Sequence, residues 1–348
     1  MIDPSDPTAH LLSDVARALD AEPGDLTNVV PIGNGQVARC ERWDFASRSA
    51  VVKSPSLDAT SRATAQLQHL YGREIAFYES LRPLVAIRTP TPLWVQHEEA
   101  TDDFVLVLED LTPVRTVDQF TGLDAADARL ALTELAGLHG PTMSRTDLFA
   151  APWLGGVAAD LAPLYAAVLP GLFEQFLDRY AAQLDDNTRD TVARLRHELG
   201  SFSGYEPEFR CVIHGDYRCE NMLFDGRGGD VPLAVVDWQT LSTGSPFLDV
   251  AYFLVTSLTG EERRRHERSL LEGYLASLRD RGVTIPLDVA LRDYARYTLQ
   301  PIVMLVAASV IVERTDRGDE MFLTMIRRGV DAATEWRAFE VLEKHADS

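Results

Sequence analysis

The chain has little of several features that would place it in other classes of protein. Its 348 residues include three cysteines, Cys40, Cys211 and Cys219, an odd number without metal-ligand spacing, which favours reduced thiols over a disulfide framework. No run of about 18 apolar residues occurs, so we expect no membrane span. Residues 1–6 have no basic segment followed by an apolar core, which predicts a cytoplasmic location.

Positive charge is also scarce. The chain has 33 lysine and arginine residues against 53 aspartate and glutamate residues, a formal net charge of -20. This balance argues against nucleic-acid partners, because binding phosphate backbones requires a basic surface. It is compatible with a cationic small-molecule acceptor, although an acidic surface that aids solubility is the simpler explanation.

The most informative segment, HGDYRCEN, runs from His214 to Asn221. Short apolar strands are predicted on both sides of it. The turn-rich segment Asp225–Asp230 predicts a hairpin with the apolar run Val231–Val236, which ends in Asp237. That hairpin would bring Asn221 and Asp237 to the same edge.

Asp216, Asn221 and Asp237 form a pattern that suits phosphoryl transfer from a magnesium nucleotide. Asp216 would receive the proton of the attacking hydroxyl, and Asn221 and Asp237 would hold the Mg²⁺ ions that bridge the phosphates. Each of these residues alone would more often satisfy backbone donors in a turn. The joint pattern favours function, because an aspartate that closes an apolar strand costs burial energy without a charged partner.

The motif resembles that of the aminoglycoside phosphotransferase superfamily, which includes macrolide phosphotransferases, choline kinases and ecdysteroid-kinase-like enzymes. The resemblance extends to Asp237-Trp238-Gln239, at the place of the family's metal-binding aspartate, and to Ser245–Tyr252, whose Asp249 would buttress the catalytic loop. It implies an α+β, two-lobed protein-kinase-like fold with a small antiparallel-sheet N-lobe and a larger, mainly helical C-lobe. It also implies Mg²⁺ and ATP or GTP as the phosphoryl donor.

Arg218 lies two positions after Asp216, where protein kinases place a basic residue that reaches the phosphoryl group. A guanidinium there would hold two phosphoryl oxygens as charge shifts in the transition state, which predicts a catalytic role. The alternative is that Arg218 only balances Glu220 and neighbouring carboxylates on an exposed loop.

Lys53 is one of two lysines in the chain, and the other is Lys344. It ends the strand pattern Ser49–Lys53, the context of the kinase lysine that contacts the α- and β-phosphates. Because nearly all the other basic residues of the chain are arginines, a lysine at this position indicates a need for a compact ammonium group. The alternative is a surface lysine at a strand end.

Glu74 is the predicted carboxylate partner of Lys53. It lies on the apolar stripe of a helix predicted over Ser61–Leu81, where an unpaired carboxylate would be costly, whereas Glu79 falls off the stripe. The stripe consists of Leu67, Leu70, Tyr71, Phe77, Tyr78 and Leu81.

A glycine-containing segment precedes Lys53. Backbone amides around Gly33, Asn34 and Gly35 would cover the nucleotide phosphates, because glycine allows close approach. Asn34-Gly35 also suits an ordinary hairpin turn, so the segment indicates a phosphate-binding loop mainly because it precedes Lys53 in the chain.

The purine would be contacted at a hinge. After the apolar strand Phe104–Leu108, Glu109 and Leu111 occupy the place where the family uses backbone groups to contact the base. Since no side chain is involved, ATP and GTP both remain open as donors.

The predicted organisation has a nucleotide-gripping lobe over 1–108, a hinge over 109–113 and a catalytic and acceptor-binding lobe over 114–348. Within the last, a helical insert spans 142–205. The helix over Asp124–His139 would end at His139 as a cap. Further predicted helices cover Glu261–Arg281, Leu287–Thr315 and Glu320–Lys344.

A small hydroxyl-bearing acceptor is expected, because Asp249 follows Asp237 by only twelve positions and no activation loop for a polypeptide fits there. An antibiotic (an aminoglycoside, macrolide, nucleoside or similar compound) and a metabolite both remain open, as does the oligomeric state. The alternative is a non-catalytic nucleotide-binding module, which would not need Asp216. Candidate residues around the acceptor, each more often structural, are Trp153, Tyr217, Glu220 and Glu313.

Overall fold

The computed structural model describes residues 11–33, 37–312 and 314–346, with the backbone alone for 155–165 and 344–346. The chain divides into two compact units. The first comprises 1–115 and 223–240, and the second comprises 116–222 and 241–348. The lobe and hinge boundaries predicted from sequence stay predictions.

A five-stranded antiparallel sheet of order β1-β2-β3-β5-β4 forms the framework of the first unit. One of its faces packs against helix α1 (Leu12–Ala18) through a core that contains Trp43 and Val52. Because side chains alternate along a strand, the neighbouring Lys53 projects from the opposite face. The strands are β1 (Leu26–Pro31), β2 (Ala38–Phe45), β3 (Ser49–Pro55), β4 (Pro92–Glu98) and β5 (Asp103–Glu109).

The prediction of a single helix over Ser61–Leu81 is wrong. The chain forms α2 (Ala59–Leu67), a break at His69 with φ 52°, then α3 (Leu70–Ala76) and a π turn. Helix α2 is mostly polar and has only Ala65 buried, so it does not continue the apolar stripe of α3. Leu67 is accordingly exposed, whereas the other five residues of the predicted stripe are buried and Glu79 is exposed, as predicted.

Two small strand pairs flank the HGDYRCEN motif. Strand β6 (Cys211–Ile213), which leads into the motif, pairs with β9 (Ser242–Gly244). Strand β7 (Met222–Gly226), which follows it, pairs with β8 (Val231–Val235). The predicted hairpin is therefore confirmed, and Asp237 follows its second strand.

The second unit is mainly helical, which together with the antiparallel sheet confirms the predicted fold class. Its helices are α4 (Ala125–Thr142), α5 (Thr146–Phe149), α6 (Val157–Arg179), α7 (Asp186–His197), α8 (Leu199–Ser203), α9 (Pro246–Ser257), α10 (Gly260–Arg279), α11 (Leu287–Tyr297), α12 (Gln300–Ile311), α13 (Asp316–Glu335) and α14 (Ala338–Ala346).

Three predicted helix boundaries are wrong. Helix α4 continues beyond His139 to Thr142. The pattern over Leu287–Thr315 is two helices, because Pro301 lacks the N–H that would continue α11 into α12. The pattern over 320–344 is likewise interrupted, at Arg337, which has a positive φ of 53°.

The sequence predicts that the chain has no membrane span, and helices α11 and α12 bear on that prediction. Among the residues described, one stretch, Leu287–Ile311, has the length and apolar composition of a membrane-crossing helix. Most of its apolar window is buried inside the protein, which is the arrangement of a core helix.

Candidate active site

Lys53 is held by two carboxylates of the first unit. Its Nζ lies 2.6 Å from Oε2 of Glu74 and 3.0 Å from Oδ1 of Asp237. The predicted pair with Glu74 is thus present, and the contact with Asp237 is a further one that the sequence reading did not include. Burial by itself would lower the pKa of the Lys53 ammonium, but Asp237 and Glu74 outweigh it and hold that pKa above its ordinary value.

The turn after β8 positions Asp237. Asp237 has a φ of 69°, in the left-handed region that aspartate and asparagine tolerate better than most residues. The next residue, Trp238, stacks on Phe77 with ring centroids 3.7 Å apart and planes 5° from parallel. The indole N–H of Trp238 donates to Oγ1 of Thr89 at 3.2 Å, and its backbone N–H contacts the Glu74 carboxylate. The buried tryptophan therefore anchors the aspartate beside Lys53.

The chemistry of these residues fits a magnesium ion. Two carboxylates against one ammonium leave the Lys53 group with a net charge of about -1, and carboxylate and amide oxygens are the protein ligands that Mg²⁺ prefers. In the described ranges, no group of three or more histidine, cysteine, aspartate or glutamate side chains is placed to hold a metal. Mg²⁺ is usually bound through one or two carboxylates plus substrate phosphates and water, and Asp237 offers one such carboxylate.

The HGDYRCEN loop of the second unit is fixed by Asp249, which is 1% exposed. Its carboxylate accepts hydrogen bonds from the backbone N–H groups of His214, at 2.6 Å, and Gly215, at 2.9 Å. The predicted buttress is therefore confirmed. Nε2 of His139 lies 3.1 Å from the same carboxylate, and its Nδ1 lies 2.7 Å from the hydroxyl of Tyr274. The interpretation of His139 as a helix cap is wrong, because this buried side chain supports Asp249.

Asp216 is held by Asn221 in the orientation expected of a positioned base. Nδ2 of Asn221 donates to Oδ2 of Asp216 at 3.0 Å and to its backbone carbonyl at 2.8 Å. The amide oxygen of Asn221 takes no part in these two hydrogen bonds. The phenol of Tyr252 also bonds the Asp216 carboxylate.

Arg218 forms a bridge between two carboxylates. Its Nε lies 3.1 Å from Asp216, and its Nη1 pairs with Glu220. Desolvation alone would lower the pKa of Arg218, but Asp216, Tyr252 and Glu220 outweigh it and raise that pKa. These contacts agree with the charge-balancing alternative and also place a guanidinium directly beside the proposed base.

The predicted nucleotide contacts are placed only in part. Gly33 lies after β1 with a φ of 71°, whereas Asn34 and Gly35 lie outside the described residues. The amide of Glu109 donates to the carbonyl of Thr91 at 2.8 Å, and the carbonyl of Leu111 accepts from the amide of Arg227 at 2.8 Å. Both groups are thus engaged within the protein.

The Glu109 side chain forms hydrogen bonds and ion pairs within the first unit. Its carboxylate lies 2.9 Å from Nη2 of Arg88 and 2.6 Å from Nη2 of Arg227, and it accepts the backbone N–H of Thr91 at 2.9 Å. These hydrogen bonds and charges outweigh partial burial and lower the pKa of Glu109. The side chain therefore fixes the strand end where the hinge is predicted.

Of the four acceptor candidates, Tyr217 is fully buried, with its hydroxyl donating to the carbonyl of Ala131 at 2.6 Å. Glu220 pairs with Arg218, and Trp153 is half-buried. Glu313 lies outside the described residues. Tyr217 is therefore a core residue.

Sequence reasoning missed Tyr252 and His139 as supports of the loop. A local signal existed for the first, because Asp249 and Tyr252 are three positions apart on α9 and so share one face of that helix. His139 had no local signal, since its partner Asp249 lies 110 positions away.

Replacing Asp249 with alanine is expected to destabilise the protein strongly. The change would leave the buried amides of His214 and Gly215 without their acceptor, at a cost of about 3 kcal/mol or more in the free energy of unfolding. Urea denaturation measures it. Asp288→Ala, in the first turn of α11, is the control, and equal loss in both variants would contradict the buttress role.

Comparison with known proteins identifies the family of the chain and its fold. The sequence pattern of the ecdysteroid kinase-like family matches residues 39–284, more than half of the chain. A Mus musculus protein, acyl-CoA dehydrogenase family member 10, is 46% identical over 41 residues, and this match covers 12% of the chain and 4% of that protein. The chain thus spans a small fraction of the length of that relative.

Solved structures with similar folds include the following three. The GDP complex of aminoglycoside 2'-phosphotransferase-IIIa is 17% identical, with a TM-score of 0.56, over 93% of this chain and 99% of that one. The microcompartment-associated aminopropanol kinase is 14% identical, with a TM-score of 0.54, over 95% and 99%. The GDP and kanamycin complex of APH(2")-IIIa is 18% identical, with a TM-score of 0.50, over 94% and 98%.

These structures share the fold, and the matched residues 39–284 contain Lys53, Glu74, the HGDYRCEN motif and Asp249. With those residues in the contacts described above, the chain belongs to the ecdysteroid kinase-like family of small-molecule kinases.

Proposed function

We propose that the protein transfers the γ-phosphoryl group of a magnesium nucleotide to a hydroxyl of a small molecule, with Asp216 as the general base. The observation that carries this proposal is the Asp216 carboxylate, oriented by Asn221 on a loop that Asp249 pins through two backbone amides. A side chain held in this way is prepared to accept a proton from a positioned hydroxyl.

Each residue has a defined task in this proposal. Asp216 takes the proton of the acceptor hydroxyl as that hydroxyl oxygen attacks the γ-phosphorus, while the bond from the γ-phosphorus to the β,γ-bridging oxygen breaks and the nucleoside diphosphate leaves. Lys53, kept charged by its two carboxylates, neutralises phosphate oxygens of the donor. Asn221 and Asp237 would hold Mg²⁺, which supplies charge neutralisation on the phosphates when bound.

We propose that the Leu111 amide contacts the purine, since the single N–H of Glu109 already donates to the carbonyl of Thr91. Backbone contacts of this kind do not by themselves select ATP over GTP. Both nucleotides therefore belong in the first assay.

The acceptor we propose is a small hydroxylated compound. The segment between Asp237 and Asp249 holds only a short turn, β9 and the Ser245 cap of α9, which leaves no platform for a polypeptide. The names of similar structures suggest two groups to test, aminoglycosides such as kanamycin and amino alcohols such as aminopropanol. The first would imply antibiotic resistance and the second a metabolic role.

The test is acceptor-dependent release of nucleoside diphosphate. Aminoglycosides, macrolides, nucleosides, amino alcohols and sugars are each incubated with the protein, Mg²⁺ and ATP or GTP. We expect release well above the acceptor-free rate with at least one compound class. Tight nucleotide binding with no transfer to any of them would favour the alternative, a non-catalytic nucleotide-binding module.

Arg218→Met tests whether that guanidinium acts in catalysis. We expect kcat to fall by about 10- to 1,000-fold with little change in nucleotide affinity, because the charge acts on the phosphoryl group mainly in the transition state. Steady-state kinetics and thermal melting are measured together, with the exposed Arg268→Met as the control. A lower melting temperature with an unchanged kcat would show that Arg218 only balances Asp216 and Glu220.

A further inference from the structure

Gln239 is the second residue after Asp237 and lies in the short 3₁₀ turn Trp238–Thr240 of the first unit. Its Nε2 donates to Oδ2 of Asp237 at 3.3 Å, whereas the Lys53 ammonium contacts Oδ1 of the same carboxylate at 3.0 Å. The two oxygens of Asp237 therefore have different partners. The roles assigned above to Lys53 and Asp237 leave Gln239 without one of its own.

The chemistry of the pair determines which end of the Gln239 amide bonds Asp237. A carboxylate paired with Lys53 only accepts hydrogen bonds, so the amide nitrogen is the end that bonds it. Oε1 of Gln239 is buried and accepts no hydrogen bond from the described part of the chain. A buried oxygen without a donor costs free energy that an apolar side chain would not, so stability alone does not explain a glutamine at this position.

The backbone of the turn is attached to helix α3. Nη1 of Arg73 donates to the carbonyl of Gln239 at 3.3 Å, and Nη2 of Arg73 donates to the carbonyl of Gln68 at 3.1 Å. The next residue of α3, Glu74, contacts the backbone N–H of Trp238. Because the turn is held at both residues, the Gln239 side chain starts from a fixed position beside Asp237.

The Asp237 carboxylate needs to be held at more than one oxygen if it is to bind a metal. Attraction to Lys53 alone fixes Oδ1 and leaves the group free to rotate about its Cβ–Cγ bond. The hydrogen bond from Gln239 to Oδ2 restricts that rotation. Mg²⁺ demands near-ideal octahedral geometry, and ligating carboxylates are commonly oriented by hydrogen bonds of this kind.

We propose that Gln239 is a positioning residue for the metal: its amide holds the Asp237 carboxylate in the orientation that binds the Mg²⁺ of the nucleotide, while Oδ1 stays with Lys53. Gln239 acts through Asp237 and is not itself a ligand. The inference rests on the proposed function, because it takes Asp237 as a metal ligand.

Gln239→Met tests the proposal, because methionine keeps the length of the side chain and removes its N–H donor. Titration calorimetry of the full chain with ATP or GTP, without an acceptor, is performed in Mg²⁺ and in a chelator. We expect affinity for the magnesium nucleotide to fall by about 10- to 100-fold, the usual effect of losing such a supporting hydrogen bond, with little change in the chelator. No loss in Mg²⁺, or an equal loss in both conditions, would overturn the proposal.

Gln66→Met is the matched control. Gln66 belongs to the same unit, and its Nε2 donates to the carbonyl of Thr101 at 2.7 Å, so this change also removes one glutamine hydrogen bond. Its affinity should equal that of the parent in both conditions. If Gln239→Met does not fold, Gln239→Ala takes its place, with the same expected result and the same contradicting results.

The double variant Gln239→Met/Asp237→Asn separates positioning from a general structural effect. If Gln239 acts through Asp237, the double variant should bind the magnesium nucleotide no more weakly than Asp237→Asn alone. Additive losses would overturn the proposal. A loss in Asp237→Asn without one in Gln239→Met would overturn it and leave the proposed function in place. No loss in Asp237→Asn would remove the proposed metal site, and the role of Gln239 with it.

Discussion

Asp216→Asn is expected to lower turnover by about 100-fold or more while nucleotide affinity stays close to that of the parent. The amide keeps the shape of the carboxylate, and its oxygen still accepts from Asn221, so the loop should be retained. What is lost is the ability to take the proton of the attacking hydroxyl. Steady-state kinetics with an acceptor found by the screen, together with calorimetry of nucleotide binding, measures both effects.

Asp230→Asn provides the matched control, because Asp230 is exposed in the turn between β7 and β8. Its turnover should equal that of the parent. Near-normal turnover in Asp216→Asn would remove Asp216 as the base. A large loss of nucleotide affinity in that variant would instead assign it to binding.

Asp237→Asn is expected to weaken binding of the magnesium nucleotide by about 100-fold, the order of effect for removing one partner of a buried charge pair. Asparagine is preferred to alanine for the first test, because it tolerates the φ of 69° at this position. Binding of the metal-free nucleotide should not weaken, since Lys53 would lose a competing carboxylate at 3.0 Å.

Calorimetry with Mg²⁺ and with a chelator separates these effects. We expect a large difference in nucleotide affinity between parent and variant with Mg²⁺ and little or none with the chelator. Equal affinities of parent and variant for the magnesium nucleotide would remove Asp237 from the metal site. Asp225→Asn, in the exposed part of the β7–β8 hairpin, controls for a general loss of negative charge.

The elements around the catalytic loop could be predicted because their determinants are local. Turn formers after β7 and an apolar run before Asp237 specify the hairpin, and the alternation along β3 specifies which way Lys53 projects. The partnership of Lys53 with Glu74 also followed from the sequence, since a carboxylate on a buried stripe requires a cationic partner and the kinase resemblance assigns Lys53 to that place.

The contacts that were missed depend on residues distant in sequence. His139 supports Asp249 across 110 positions, and Asp237 reaches Lys53 across 184. Periodicity does not encode such pairings. The helix breaks at His69 and Arg337 were missed for another reason, because neither residue is a glycine or a proline that would mark a left-handed position.

Transfer of a labelled γ-phosphoryl group to a small-molecule hydroxyl tests the central claim most directly. The parent and Asp216→Asn are each incubated with Mg²⁺, γ-labelled nucleotide and the acceptor from the screen, and the product is analysed by mass spectrometry and phosphorus NMR. We expect a phosphate monoester on one acceptor hydroxyl with the parent, formed at least about 100-fold more slowly with the variant. Label found only in inorganic phosphate, or an equal rate of ester formation by both proteins, would contradict it.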